Sequence, residues 1–354
     1  MARVISQPDK LCLTSMLADI VFETTSKNGK MRLSLTVDGV KSELLSETLW
    51  PDNNGRVTIS GLSPLLTLYA KGIDDVDVIF SCSFEDAEGV ASIEDVTLLY
   101  GTVDIGMSTS EFLSTHFLTI LDGEKLTSLN RQERLSWYGT DRSIIIEADL
   151  RLPNGNCIKD TWTRDESDSL PSYHAVDISP RKVQELLGMI GGRVLGYTVR
   201  VGQRYQSFRV IEEQMLPEPS LVFENSFGCE EFLHCTGTLK RQTKYERSQV
   251  RIGGKIRQYD TREECQFTAN TGWMNDAMCI WAEDLFRSED IWLWRDGSRS
   301  KKVVINDSKS EWDNEEDSLI AYEFTYTYAQ RIHNVRWRRK KERIFTEQFE
   351  DIYN

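Results

Sequence analysis

The sequence has no long hydrophobic run, few histidines and no paired-cysteine motif, and each shortage removes a class of protein. No apolar stretch approaches the roughly 20 residues that a helix needs to cross a bilayer, so no membrane partner is expected. Between Met1 and Leu17, Gln7, Asp9 and Lys10 interrupt the continuous apolar core that a secretory leader requires, and export by the general route is not expected. Seven cysteines, an odd number with no CxxC pair, fit reduced thiols better than a disulfide framework. The four histidines, His116, His174, His234 and His333, show no HExxH or HxH spacing that would bring two ring nitrogens onto one metal. Gly191-Gly192 and Gly253-Gly254 lack the phosphate-cradling contexts, no GxSxG elbow occurs, and no cofactor is expected.

Charge of one sign dominates what is there. The 354 residues carry a net charge of −14, which repels phosphate backbones and makes nucleic acid a poor partner. The exception is local: Arg336, Arg338, Arg339, Lys340, Lys341 and Arg343 crowd one segment, opposite in sign to the acidic run Glu311 to Asp317. A solvated basic face, docking to that run or to a neighbouring subunit, is the reading for this block.

The hydrophobic pattern is that of strands. Met31, Leu33, Leu35 and Val37 alternate with polar residues, the period of a half-buried strand, and Asp38-Gly39 marks a hairpin. Asp52-Asn53-Asn54-Gly55 reads as a turn, with too few ligands for a calcium loop. Leu62 to Tyr69 reads as a short helix, and Ser110 to Leu121 as an apolar, β-prone stretch. A hairpin, a further strand, a helix opened by Ser179-Pro180 and two strands then follow, in the order already met over residues 16–100. Two copies of one small β-sandwich module are one account of this; chance recurrence of a simple order is the other. The fold class expected is mainly β, in β-sandwich modules with a few short helices and a C-terminal α+β domain. Its expected domains span residues 1–105, 106–217 (the possible duplicate) and 218–335, followed by a charged arm or helix over 336–354. Pro217-Glu218-Pro219 marks the boundary before the third.

Few constellations could carry chemistry. Cys229, His234 and Cys235 are the nearest approach to a metal or thiol site, with free buried thiols as the alternative. Acidic pairs are plentiful, but a glycosidase requires two carboxylates facing one cleft. Tyr322, Tyr326 and Tyr328 share a strand face with Phe324; this row either packs a core or forms a subunit interface or sugar platform. Candidate interface residues are Tyr322, Tyr326, Tyr328, Arg336, Arg338, Arg339, Lys340, Lys341, Phe345 and Phe349, the last two on one side of an amphipathic segment.

The stretch Phe223-Glu224-Asn225-Ser226-Phe227-Gly228, with Cys235-Thr236-Gly237, Tyr245-Glu246-Arg247, Thr271-Gly272, Asp284-Leu285-Phe286-Arg287-Ser288 and Phe324-Thr325-Tyr326, resembles a group of phage and prophage proteins of Bacteroides-type bacteria. Pro51 to Ile59, Glu111-Phe112-Leu113 and His116-Phe117-Leu118 resemble the same group's N-terminal half. The resemblance implies a structural subunit of a tail tip or baseplate, similar to distal tail proteins. Such a subunit is no enzyme, assembles into a homo-oligomeric ring in the host cytoplasm and joins the tail tube to host-recognition parts of the virion. A carbohydrate-binding adhesion module recognising a surface glycan is the alternative, and a polysaccharide hydrolase a third.

Overall fold

Alternation of apolar and polar residues decides most of this fold. In a strand, successive side chains point to opposite faces, so a sequence of period two buries one face and wets the other. The computed structural model describes residues 2–71, 78–188, 192–212, 218–309 and 320–330. Among them the chain is mainly β, with four α-helices.

The first unit holds β1 (Arg3–Ser6), β2 (Leu11–Leu13), β3 (Ile20–Glu23), β4 (Gly29–Val37), β5 (Val40–Leu49), β6 (Arg56–Ile59), α1 (Ser63–Ala70), β7 (Val78–Asp86), β8 (Gly89–Ser92) and β9 (Val96–Leu99). One sheet runs β2-β9-β7-β4-β5, with β8 paired to β7; the facing sheet is β1-β3-β6. Met31, Leu33, Leu35, Phe80 and Phe84 from the first sheet meet Ile20, Phe22, Val57 and Ile59 from the second in one buried core, the packing of a β-sandwich. Asp52 closes the turn before β6 through Oδ1, which accepts from the backbone N–H groups of Asn54 and Arg56, both at 2.8 Å.

The linker after β9 forms α2 (Thr109–Thr115), not the extended stretch expected there. Its cause is an N-cap: Ser108 Oγ accepts from Glu111 N at 3.3 Å, which opens a helical turn that Phe112 and Leu113 then bury.

The second unit holds β10 (Lys125–Ser128), β11 (Arg134–Asp141), β12 (Ile144–Arg151), β13 (Cys157–Arg164), β14 (Ser167–Asp177), α3 (Pro180–Leu186), β15 (Arg193–Val201) and β16 (Arg204–Ile211). Its main sheet runs β10-β16-β15-β12-β13, faced by β11-β14. This is the order β2-β9-β7-β4-β5 of the first unit's main sheet; β8 and, in the facing sheet, β1 have no counterpart. In both, the outer strand at one end pairs in parallel (β2 with β9, β10 with β16) while the remaining pairs of the main sheet are antiparallel. In both, a helix connects the facing sheet back to the main one. Ile144, Ile146, Ala148 and Leu150 point into the core, whereas Ile145, Glu147, Asp149 and Arg151 point out.

The third unit holds β17 (Ser220–Glu224), β18 (Glu230–His234), β19 (Leu239–Ile252), β20 (Lys255–Asn270), α4 (Asp276–Arg287), β21 (Ile291–Arg295), β22 (Ser298–Lys309) and β23 (Glu323–Tyr328). One sheet runs β18-β17-β21-β22-β23-β20-β19. Its first four strands repeat the antiparallel order β5-β4-β7-β9, again with the helix inserted before the third. The apolar side of α4, Met278, Cys279, Trp281, Ala282 and Leu285, covers that sheet.

Candidate interaction surfaces and the buried junction

Three parts of the molecule draw functional side chains together: a buried junction, a polar cleft and a projecting hairpin. The junction begins with an apolar hub. Leu13 and Leu99 from the first unit, Phe112, Leu113 and Leu118 from the linker, Tyr138 from the second unit and Phe227 from the third form one buried cluster. Phe112 stacks on Phe227 with ring centroids 5.2 Å apart. Backbone ties cross the same place: Thr102 N donates to Ser226 O at 2.9 Å, Leu118 N to Ser136 O at 2.8 Å, and Asn225 Nδ2 to Leu118 O at 2.8 Å.

Beside the hub lies a polar cluster between the second and third units. Lys125 Nζ, on β10, bonds Glu133 Oε2 at 2.7 Å and Phe232 O at 3.2 Å, and sits 4.0 Å from the Trp281 ring centroid. Trp281 Nε1 donates to Glu231, whose carboxyl burial pushes up to about 7 despite the Lys125 charge beside it. His234 is also buried and is pushed down to about 3. Its Nε2 lies 3.0 Å from Gln132 O, so that nitrogen carries the proton and donates; Nδ1, 2.9 Å from Ser220 Oγ, accepts. Both nitrogens are thus occupied structurally. Cys235, also buried, has its thiol pushed up to about 12 by desolvation, and Cys229 packs against the hub. Among the described residues no group of three or more His, Cys, Asp or Glu side chains converges as a metal site. Ser179, expected to cap α3, instead accepts from Glu133 N at 3.0 Å and ties the helix start to this cluster.

Between the first and third units is a cleft of about 300 Å³ lined by Lys71, Tyr100, Glu224, Asp284, Arg287 and Asp290, among others. Buried Asp284 accepts from Ser226 N at 2.9 Å and from Ser226 Oγ, and Lys71 reaches Glu289 across the cleft mouth. The carboxylates are paired with protein donors, so the cleft reads as a joint between units.

The tyrosine row requires a correction. Tyr322, Phe324 and Tyr326 are buried in the third unit's core, where Tyr326 stacks on Phe267 at 5.0 Å and Phe286 meets Phe324 at 5.7 Å. Residues already packed inside one domain offer no subunit interface or sugar platform. Tyr328 is half-buried beneath Lys301, whose Nζ lies 3.8 Å from its ring centroid. Trp281 is likewise core, and Trp292 and Trp294 are half-buried. Arg336, Arg338, Arg339, Lys340, Lys341, Phe345 and Phe349, with Trp312 and Trp337, lie outside the described residues.

β19 and β20 form one long hairpin. β19 and β20 pair from Leu239↔Ala269 out to Ile252↔Lys255, yet β20 meets β23 only over Gln266 to Asn270. Among the described residues, 255–265 therefore have β19 as their sole strand partner, and the ribbon projects roughly 35 Å beyond the sheet at about 3.4 Å per residue. Gly253 and Gly254, both at positive φ, make its tip, a geometry side-chain-bearing residues resist. The sequence signal is the Gly253-Gly254 turn flanked by proline-free segments that carry Tyr245, Val250 and Ile252 on one side and Ile256, Tyr259 and Thr261 on the other.

No family model matches the chain, and no curated protein matches it.

Proposed function

We propose that the chain is a structural subunit of a phage tail tip or baseplate, which joins the tail tube to host-recognition parts by self-assembly. The observation that carries this reading is the hub. Three β units, two of them with one strand order, are clamped by a single apolar cluster and crossing backbone hydrogen bonds. Fusion through a buried core suits a part that transmits position between neighbours; domains that move relative to one another usually share smaller, more polar interfaces. The resemblance of Phe223 to Gly228 to tail proteins falls on this hub, since Phe227 is a member of it.

The test is location. An antibody against the purified chain should decorate one end of tails in particles released when the bacterium carrying the sequence is induced, and the chain should be recovered from purified particles in fixed ratio to the tube protein. Particles that lack the chain would sink the proposal.

A further inference from the structure

Among the described residues, the outer part of the projecting hairpin packs only against itself. A two-stranded ribbon is marginal in water by itself, because it has no second layer against which to bury a face. From residue 240 to residue 261 almost every side chain is exposed, including Tyr245, Val250, Ile252, Ile256 and Tyr259; Ile256 and Tyr259 keep 65% and 71% of their surface. Its charge is opposite to that of the chain. Between Arg247 and Arg257 the tip carries Arg247, Arg251, Lys255 and Arg257 and no acidic residue, in a protein of net charge −14. Over residues 255–265 and the β19 residues paired with them, no further strand pairs with either ribbon edge among the described residues, which leaves a template for another strand.

We infer that this arm docks on a second copy of the chain, adding its tip strands to the exposed edge of β5 in the first unit. This deepens the tail-subunit reading and rests on it. The ribbon needs a partner edge that is long, free, apolar in part and acidic. Among the other described edge strands of eight residues or more, β11 is largely buried and sets Arg134 against Asp141, β13 carries Lys159 and Arg164 against Asp160, and β14 is interrupted by Pro171. β5 spans ten residues, pairs only with β4, contains no proline, and carries Glu43 and Glu47 against Lys41. Val40 and Trp50 at its ends are exposed, 70% and 69%, and would lie against the arm's isoleucines and tyrosine. Because arm and edge are different patches on one chain, the contact is heterologous. Such contacts repeat from copy to copy and close into rings when the rotation allows.

The experiment uses the whole purified chain, with assembly followed by mass photometry and sedimentation at low and high salt. Arg251→Glu with Arg257→Glu and, separately, Glu43→Lys with Glu47→Lys change only exposed side chains; far-UV circular dichroism checks that each variant is folded. The wild type should assemble at low salt and come apart as the Debye length shrinks from about 30 Å at 0.01 M to about 3 Å at 1 M. Each double variant should weaken assembly by about tenfold or more, and the four changes together should restore most of it. A wild type that stays monomeric at every concentration overturns the inference. So does a fourfold variant that assembles no better than the doubles. If rings form regardless of all four changes, the arm contact is wrong while the tail reading stands. Arm-dependent assembly in a chain absent from tail particles would instead remove the tail reading alone.

Discussion

Glu231 and His234 lie three positions apart around β18, and burial favours the neutral form of each. Their consequences for stability have opposite sign. For Glu231 the folded value, about 7, exceeds the ordinary 4.5, so between those pH values the folded chain holds a proton that the unfolded chain has released. Stability from this group therefore falls as pH rises through that window. For His234 the folded value, about 3, lies below the ordinary 6.5, so the unfolded chain binds the extra proton and stability rises with pH up to about 6.5. Between pH 4.5 and 6.5 the two slopes, each at most about 1.4 kcal/mol per pH unit, oppose one another. Glu231→Gln should thus steepen the rise of stability with pH relative to wild type, and His234→Gln should tilt it downward. Urea midpoints at three pH values across the window measure this, and variants that run parallel to wild type would refute it. The surrounding charges, Lys125, Arg131 and Asp284, are common to all three proteins.

At the scale of elements, α4 has a start signal that serves two purposes. Asn275 Oδ1 accepts from Met278 N at 2.9 Å as an N-cap, while its Nδ2 donates to Glu124 O at 2.8 Å in the segment leading to β10. Asn275→Ala removes a cap worth about 1 kcal/mol and a hydrogen bond of similar size, so a loss of about 2 kcal/mol is expected. Asn275→Asp keeps the cap acceptor and should recover about half, as chemical denaturation would show. Asn275, Met278, Trp281 and Leu285, successively three, three and four positions apart, carry its cap and its buried stripe. α2 was not legible: its apolar character continues past its end through Phe117, Leu118, Ile120 and Leu121, and only the Ser108 cap on Glu111 N sets its start. The tyrosine row shows the other limit. Alternation placed Tyr322, Phe324 and Tyr326 on one face, as found, but a strand's period cannot say whether α4 covers that face or solvent does. The buried polar junction was illegible for a plainer reason. Lys125, Glu133 and Glu231 are far apart in sequence and look like surface charges until β10, β18 and α4 meet.

At the scale of the molecule, the shared strand order raises the question of why two similar sandwiches and a third sheet behave as one body. The answer offered here is the hub, and within it Phe227. Its ring is 2% exposed and stacks on Phe112 of the linker helix. Gly228 beside it brings the chain so close to Tyr100 of the first unit that an added Cβ would lie 3.0 Å from that ring, at a positive φ as well. Truncating the ring should cost about 3–5 kcal/mol, the usual range for a buried phenylalanine. The more telling readout is cooperativity. If the hub couples the units, the wild type should unfold in one calorimetric transition and Phe227→Ala should separate it into two or more, because each unit keeps its own core while losing the cluster that links them. A wild type whose units already melt separately would show that the hub positions them without coupling them, and the case for a rigid connector would fall with it.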